Sequence, residues 1–294
     1  MDIESLKTFI TLTNLNNFTK TAEKHNVVQS TVTNRIKELE AELGKELFIR
    51  DKKNISLTNA GHHLLLYAKR IVELAETASS ELTMLSTYSE ILRIGSVHTV
   101  YDCHLYKYIS KYIKNYKDVS VNIKIDHSKN LLEQLHDNVI DICFSYIPIN
   151  YSQFICIPFK VDDLILVTGK NNTTYKNGIL NEELKDLYWL YCDYATRDDL
   201  SWFKNLFSEN HMFPLEIDVG NKIIPFLKDG LGYSFVPRNL ILEELEANSL
   251  IEIKLLESVQ PKMNSYMILN KKHLKSKHIN DWVNLINISS SNFI

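Results

Sequence analysis

A chain of 294 residues, 45% apolar and with a mean hydropathy of −0.17, reads as an ordinary soluble globular protein. It is too long for one small domain, so two domains are expected. Its 33 Lys and Arg against 36 Asp and Glu give a formal charge of −3, which speaks against a strongly basic nucleic-acid binder.

No stretch approaches the roughly 18 consecutive apolar residues of a membrane span. The start, MDIESLKTF, lacks the basic and apolar segments of a signal peptide. Cys103, Cys143, Cys156 and Cys192 are scattered, with no C-x-x-C pair, as befits reduced thiols in a cytoplasmic protein. All six prolines lie at or after Pro148, and only Gly44 and Gly61 precede residue 95. The first ninety residues are therefore expected to be helical, with a boundary near Tyr88–Leu92.

Leu6, Phe9, Ile10 and Thr13 share one face of a first helix over about residues 2–14. Asn17 is the expected cap of a short second helix whose Phe18, Ala22 and His25 point inward, His25 as a packed side chain rather than a ligand. A third helix, about Gln29 to Leu43, has the stripe Val32, Ile36, Leu39, Leu43 and stops at Gly44. Two helices joined by a few residues, the second polar at its start, form the helix-turn-helix pattern. With Val32 and Ile36 inside, Ser30, Asn34 and Lys37 point outward and Thr31 and Thr33 flank them. These short hydrogen-bonding groups and one cation suit base edges and phosphates; a plain solvated face is the alternative. Leu47–Arg50, Asp51–Asn54 and Ile55–Thr58 read as strand, turn and strand, a wing with Arg50, Lys52 and Lys53 toward its tip for phosphate contacts.

The stretch FTKTAEKHNVVQSTVTNRIKELEAELGKELFIRDKKNISLTNAG, from Phe18 to Gly61, resembles the N-terminal domain of LysR-type transcriptional regulators. The segment IKELEAELGKELF, an Arg and then SLTNAG carry the likeness, and later segments follow the family plan. Departures stand at His25, Val28, Thr33, Asn34 and the DKKN wing tip. The resemblance implies a winged helix-turn-helix (residues 1–58), a long linker helix (59–88) and an α/β, two-lobed effector domain like a periplasmic binding protein (89–294). Lobe I would be about 89–160 and 266–294, and lobe II about 161–265. The DNA-binding set on this reading is Gln29, Ser30, Thr31, Thr33, Asn34, Arg35, Lys37, Arg50, Lys52 and Lys53.

Thr58 is placed to cap the long helix. Its positions Ala60, Leu64, Tyr67, Ile71, Leu74, Ala78, Glu81 and Leu85 alternate four and three apart, a heptad seam about 42 Å long. Leu64, Tyr67, Ile71, Leu74, Ala78 and Leu85 are the expected dimerisation residues; a helix lying along its own domain is the alternative.

From residue 91, Ile91–Gly95, Val119–Ile125 and Val139–Ser145 read as strands, with Tyr101–Tyr116 and Leu131–His136 as helices between them. That order predicts a parallel sheet with ligand chemistry at the carboxyl ends of its strands. Asp163–Thr168, Tyr188–Cys192, Glu216–Val219, the turn and strand of Lys228–Pro237, Ser265–Leu269 and a closing helix about Lys277–Ile288 follow. Carried over from the family, the effector contacts are His98, Thr99, Val100, Ser128, Tyr146, Tyr194, Thr196, Arg197 and Asn221. Arg197 and the helix start at Ser128 point to a small organic, anionic effector, although Arg197 paired with Asp198 or Asp199 is the alternative.

There is no G-x-S-x-G, phosphate loop, H-E-x-x-H or spaced metal cluster, so neither an enzyme nor a resident cofactor is expected. A Cys-dependent enzyme and a thiol redox sensor of the same fold stay as alternatives. The resemblance implies promoter DNA, a second copy in a dimer or tetramer, a small effector and RNA polymerase as partners. Residues 1–90 hold 11 basic and 12 acidic side chains, so nonspecific DNA affinity is expected to be modest.

Overall fold

The structure, a computed structural model, describes residues 1–50, 55–84, 87–192, 194, 206–207 and 211–286. The chain forms two compact units, Met1–Thr87 and Tyr88–Ile294.

In the first unit, α1 (Ile3–Leu15) starts where the Asp2 carboxylate accepts the Ser5 N–H at 2.8 Å and ends at Asn16 in the left-handed conformation. It buries Leu6, Phe9 and Leu12. Leu12, absent from the expected stripe, takes the place assigned to Ile10 and Thr13, which are only half-buried. In α2 (Phe18–Lys24) the Asn17 side chain caps the Lys20 N–H at 2.9 Å as expected. The third helix, α3 (Gln29–Leu43), buries Val32, Ile36 and Leu39 and stops at Gly44, whose φ of +63° suits glycine. Leu43 is exposed, so the inward stripe is one residue shorter than its spacing suggested.

The wing pairs β1 (Phe48–Arg50) with β2 (Ile55–Leu57) in antiparallel register, Phe48 opposite Leu57 and Arg50 opposite Ile55. Glu40 of α3 accepts the Leu47 N–H at 2.9 Å and the Phe48 N–H at 3.3 Å, which fixes the wing's first strand to the third helix. Lys52 and Lys53 lie outside the described residues.

The long helix α4 (Asn59–Met84) is capped by Thr58, whose hydroxyl accepts the Gly61 N–H at 3.0 Å and donates to Glu46 O at 2.7 Å. Within this unit Gly61, Ala68 and Val72 are its buried positions, and it packs along α1 with Lys7 paired to Glu76 at 2.9 Å. The heptad seam is a different stripe. Leu64 and Ile71 are half-buried, Ala78 is exposed, and Tyr67 and Leu74 are 61% and 40% exposed. Leu85 lies outside the described residues.

In the second unit a seven-stranded mixed sheet runs β10-β6-β11-β5-β3-β4, with β9 also on β6. Its strands are β3 (Glu90–Ser96), β4 (Val119–Ile125), β5 (Ile142–Ser145), β6 (Phe154–Gly169), β9 (Tyr233–Pro237), β10 (Leu250–Ile253) and β11 (Lys262–Asn270). Strands β3, β4 and β5 are parallel, as the alternating pattern predicts. Arg93 on β3 binds the buried Asp141 carboxylate through Nε at 3.0 Å and Nη2 at 2.6 Å, tying down the entry to β5.

The main departure is β6. Asp163–Thr168 was expected as a strand, but it is the second half of a sixteen-residue one. Residues 154–163 pair with β11, whereas 164–169 pair with β9 and β10, so one strand serves both halves of the sheet. Pro158 hides the first half from sequence reading. It is tolerated there because among the described residues no strand pairs with its outer edge, and the register slips at Ser265/Tyr266 beside it. A short parallel ribbon, β7 (Leu190–Cys192) with β8 (Leu215–Ile217), completes the second lobe.

Lobe I carries α5 (His98–Val100), which continues through a π turn (Tyr101–Leu105) into α6 (Tyr106–Asn115), then α7 (Ser128–His136) and, near the end, α10 (Lys277–Leu285). Lobe II carries α8 (Ile224–Lys228) and α9 (Leu242–Glu246).

Two outcomes test this packing. A Cβ on Gly61 would stand 2.3 Å from the Leu47 carbonyl oxygen, a backbone atom that cannot swing away. Gly61→Ala should therefore destabilise the first unit by about 2 kcal/mol, despite alanine's helix advantage of about 1 kcal/mol. Urea unfolding followed by circular dichroism measures it, and unchanged stability would break the account of the wing–α4 contact.

Burial, helped by the charge of Arg35, holds the pKa of His25 below its ordinary value while its Nε2 contacts Thr11 Oγ1 at 2.9 Å. The unfolded chain then takes up the proton first. The stabilisation is whole above about pH 6.5 and is lost as pH falls toward the lowered folded value. His25→Asn should flatten that slope in melting curves taken across the range; an unchanged slope would assign it elsewhere.

Candidate functional site

Two surfaces bear the residues singled out from sequence, one in each unit. On α3, Gln29, Ser30, Asn34 and Lys37 are exposed and Thr31 and Thr33 half-buried. A helix that buries positions 32, 36 and 39 turns 30, 34 and 37 to the opposite side. The Thr33 hydroxyl donates back to Gln29 O at 3.1 Å, and Gln29 Oε1 accepts from Thr19 at 3.4 Å, which links the start of α3 to α2. Arg35 departs from expectation. Its Nη1 donates to Thr8 Oγ1 at 3.1 Å and lies 3.6 Å from Glu4, so it braces α3 against α1 instead of extending from the outer face.

In the second unit the carboxyl ends of β3, β4 and β5 meet, because their loops are stitched together. Val97 N–H donates to Phe144 O at 3.1 Å, and Asp126 N–H to Ser96 O at 3.2 Å. His98 and Thr99 follow β3, Asp126–Ser128 follow β4 and Tyr146 follows β5. The Ser128 hydroxyl accepts the Tyr146 backbone N–H at 3.2 Å and so joins the ends of β4 and β5.

Lobe II faces this edge through contacts that sequence spacing did not reveal. Thr99 Oγ1 and Tyr194 Oη are 2.6 Å apart, with the two residues only 3% and 1% exposed. Asn221 Nδ2 donates to Asp102 Oδ2 at 2.8 Å, and His127 Nε2 lies 3.8 Å from Asp218 Oδ2. The other amide atom of Asn221, Oδ1, is buried and accepts no hydrogen bond among the described residues, an arrangement that costs about 1–3 kcal/mol. Asp102 lies one turn beyond Thr99, on the same helix face, and that spacing was the legible signal for it.

Five of the nine expected effector residues, His98, Thr99, Ser128, Tyr146 and Tyr194, thus gather at or beside the lobe junction, with Asn221 across it. Val100 does not join them, because it is fully buried in the core of lobe I. Thr196 and Arg197 lie outside the described residues.

At the crossing strand, Asp162 is 1% exposed and is held from both lobes. His104 Nε2 of the π turn contacts its oxygens at 3.0 and 2.9 Å, and Asn239 Nδ2 donates at 2.6 Å. A separate apolar pocket of about 410 Å3 opens on lobe II among Tyr188, Leu190, Pro214, Leu215, Phe226 and Leu231.

Two of the four thiols, Cys103 and Cys143, are held in their unreactive protonated form. Burial, with Asp162 and Asp102 nearby, pushes the Cys103 thiol up to about 12, and burial raises Cys143 further. Cys143 and Cys156 both sit opposite Ile268, on strands either side of β11. That separates them by two strand spacings, about 10 Å, beyond disulfide reach. Cys192 is buried against Ser234 and Phe235. Among the described residues no group of three acids, histidines or cysteines is placed to hold a metal, and no helix is long and apolar enough to cross a membrane.

Residues 3–62 match the model of the bacterial regulatory helix-turn-helix protein, lysR family, and residues 86–288 match the LysR substrate-binding domain. The chain is 29% identical over 262 residues to the HTH-type transcriptional regulator YofA of Bacillus velezensis, covering 83% of this chain and 87% of that one. It is 28% identical over 291 residues to the HTH-type transcriptional regulator CitR of Bacillus subtilis, covering 96% and 98%. Among solved structures it shares the fold of full-length CbnR in complex with its target DNA, with a TM-score of 0.70, 18% identity and coverage of 97% and 99%.

The buried Thr99–Tyr194 contact is open to a double-mutant cycle. Thr99→Val and Tyr194→Phe should each destabilise the second unit by about 1 kcal/mol, and the double variant should cost clearly less than their sum. Strict additivity in urea titrations would mean that the two hydroxyls do not interact.

Proposed function

The chain belongs to the LysR family of bacterial helix-turn-helix transcriptional regulators, and from that premise we infer how its two units divide the work. The first unit reads a promoter sequence through the outer face of α3. Ser30 and Asn34 meet base edges, Thr31 and Thr33 flank them, and Gln29, Lys37, Arg50, Lys52 and Lys53 contact the phosphate backbone. Arg35 supports the helix from behind. The observation that carries this reading is the division of α3 into a fully buried stripe and an opposite face of short hydrogen-bonding groups around Asn34.

The protein acts in the cytoplasm as a dimer or tetramer, carries out no reaction of its own, and influences RNA polymerase at the promoter. The exposed seam residues Tyr67, Leu74 and Ala78, with Leu64, Ile71 and Leu85, support pairing of two α4 helices. A small organic effector binds in the cleft of the second unit. His98, Thr99, Ser128 and Tyr146 contact it from lobe I, and Tyr194, Thr196, Arg197 and Asn221 from lobe II. It needs only to bind one arrangement of the assembly better than another to change promoter occupancy. The raised thiols of Cys103 and Cys143, and the distance between Cys143 and Cys156, favour a metabolite over an oxidant as the signal.

Gel-shift titration of the full-length protein on the DNA upstream of its own gene tests the reading face. Asn34→Ala should weaken binding by about 1–3 kcal/mol and relax preference at one base position, because Asn pairs bidentately with adenine. Lys37→Ala should weaken all sequences alike. If Asn34→Ala binds every sequence as tightly as the parent, α3 does not read bases through this residue.

A further inference from the structure

The contact across the lobe junction has an excess of acceptors. Asp102 on lobe I presents a carboxylate, and one of its oxygens already takes the Asn221 Nδ2 donor at 2.8 Å. Asn221 Oδ1, the acceptor end of the same amide, is buried and accepts nothing from the described residues. Nearby, the second junction contact places another carboxylate, Asp218, 3.8 Å from His127. These two junction contacts bring two carboxylates, Asp102 and Asp218, and one imidazole, His127, to the cleft mouth. Ser128, where an anion was expected, accepts the Tyr146 N–H with one hydroxyl lone pair and keeps its O–H as a donor.

A carboxylate-only ligand entering here would set its charge against Asp102 and leave Asn221 Oδ1 as it is. A ligand bearing an ammonium does the opposite. An ammonium has three donors and no acceptor, so it can serve the exposed Asp102 carboxylate together with the Asn221 amide oxygen once that side chain turns the oxygen, buried here, toward the ligand, and the charge on Asp102 strengthens the hydrogen bond. Because Asp102 belongs to lobe I and Asn221 to the turn Gly220–Ile223 of lobe II, one such group holds both lobes.

We propose that Asp102 and Asn221 are the specificity-determining residues of the cleft and that the effector carries a primary ammonium group bound between them. The effector is thus an amine or an amino-acid-like zwitterion, and the proposal rests on the reading of the cleft as the effector site. A negative group elsewhere on the same molecule remains compatible with the amides that open α7.

Matched probes that differ only in the ammonium group test the idea on the full-length protein. Suitable pairs are L-glutamate with glutarate and L-leucine with 4-methylpentanoate, with 1,4-diaminobutane added as a pure cation. Thermal shift and isothermal titration calorimetry give the affinities. The expected result is that at least one ammonium-bearing probe binds ten-fold or more tightly than its deaminated partner. Asp102→Asn should remove that preference while leaving the circular dichroism spectrum unchanged, since Asp102 is exposed.

A second variant, Ser128→Trp, obstructs the cleft beside Tyr146 and should abolish binding of any cleft ligand. If a deaminated acid binds as well as its amino partner, and Ser128→Trp abolishes binding but Asp102→Asn does not, the ammonium proposal falls and the cleft reading stands. If bound probes are indifferent to both variants, or no probe binds, the proposal falls, and indifference to Ser128→Trp takes the cleft reading with it.

Discussion

Val32, Ile36 and Leu39 have to leave water, and a helix gives them only one side on which to do it. Everything proposed for the first unit follows from that constraint. Once this stripe lies with Leu6, Phe9 and Leu12, the helix cannot rotate without exposing it, so Ser30, Asn34 and Lys37 remain outside. Full burial of three such side chains contributes on the order of 5–8 kcal/mol before conformational entropy is charged against it. Glu40 then carries the orientation onward by accepting the first amides of the wing, and Arg35 resists the rotation from the other side through Thr8. The near-neutral charge of residues 1–90 gives no strong field for DNA, so orientation matters more here than attraction.

In the second unit the comparable constraint is the double duty of β6. A strand that passes from one half of the sheet into the other joins two lobes without letting them separate, and β11 makes the return connection to lobe I. Polar contacts placed around this crossing decide how the lobes sit. Asp162 is gripped from the π turn by His104 and from lobe II by Asn239, while Thr99 meets Tyr194 and Asp102 meets Asn221. Thr99, Asp102 and His104 lie within six residues of one another, so a displacement of that helical segment is felt at all three contacts. A π turn in such a segment fits the tendency of these irregularities to occur at functional sites.

Local signals in the sequence were read well where one side chain and its neighbours decide the outcome. The Asn17 cap, the Gly44 stop, the Thr58 cap and the parallel order of β3, β4 and β5 all had clear signatures. Reading failed where a distant partner decides. The strand expected at Asp163–Thr168 begins at Phe154, with Pro158 on an edge that no described strand pairs; the Arg35 cation, expected at DNA, reaches Thr8; and Val100, expected in the cleft, is enclosed by its neighbours. The cleft residues inferred from resemblance came largely to one place; Asp102 was legible only through its one-turn spacing from Thr99, and Asp218 not at all, because its meaning depends on what faces it across the lobes.

Hydroxyl-radical footprinting of the full-length protein on the DNA upstream of its own gene tests the central claim most directly. Two protected patches on one face of the duplex are expected, centred about one helical turn (~34 Å) or a whole number of turns apart, as two α3 helices carried by a paired α4 require. A single isolated patch would contradict the pairing. Absence of protection even at low salt would contradict the DNA-reading role of α3 itself.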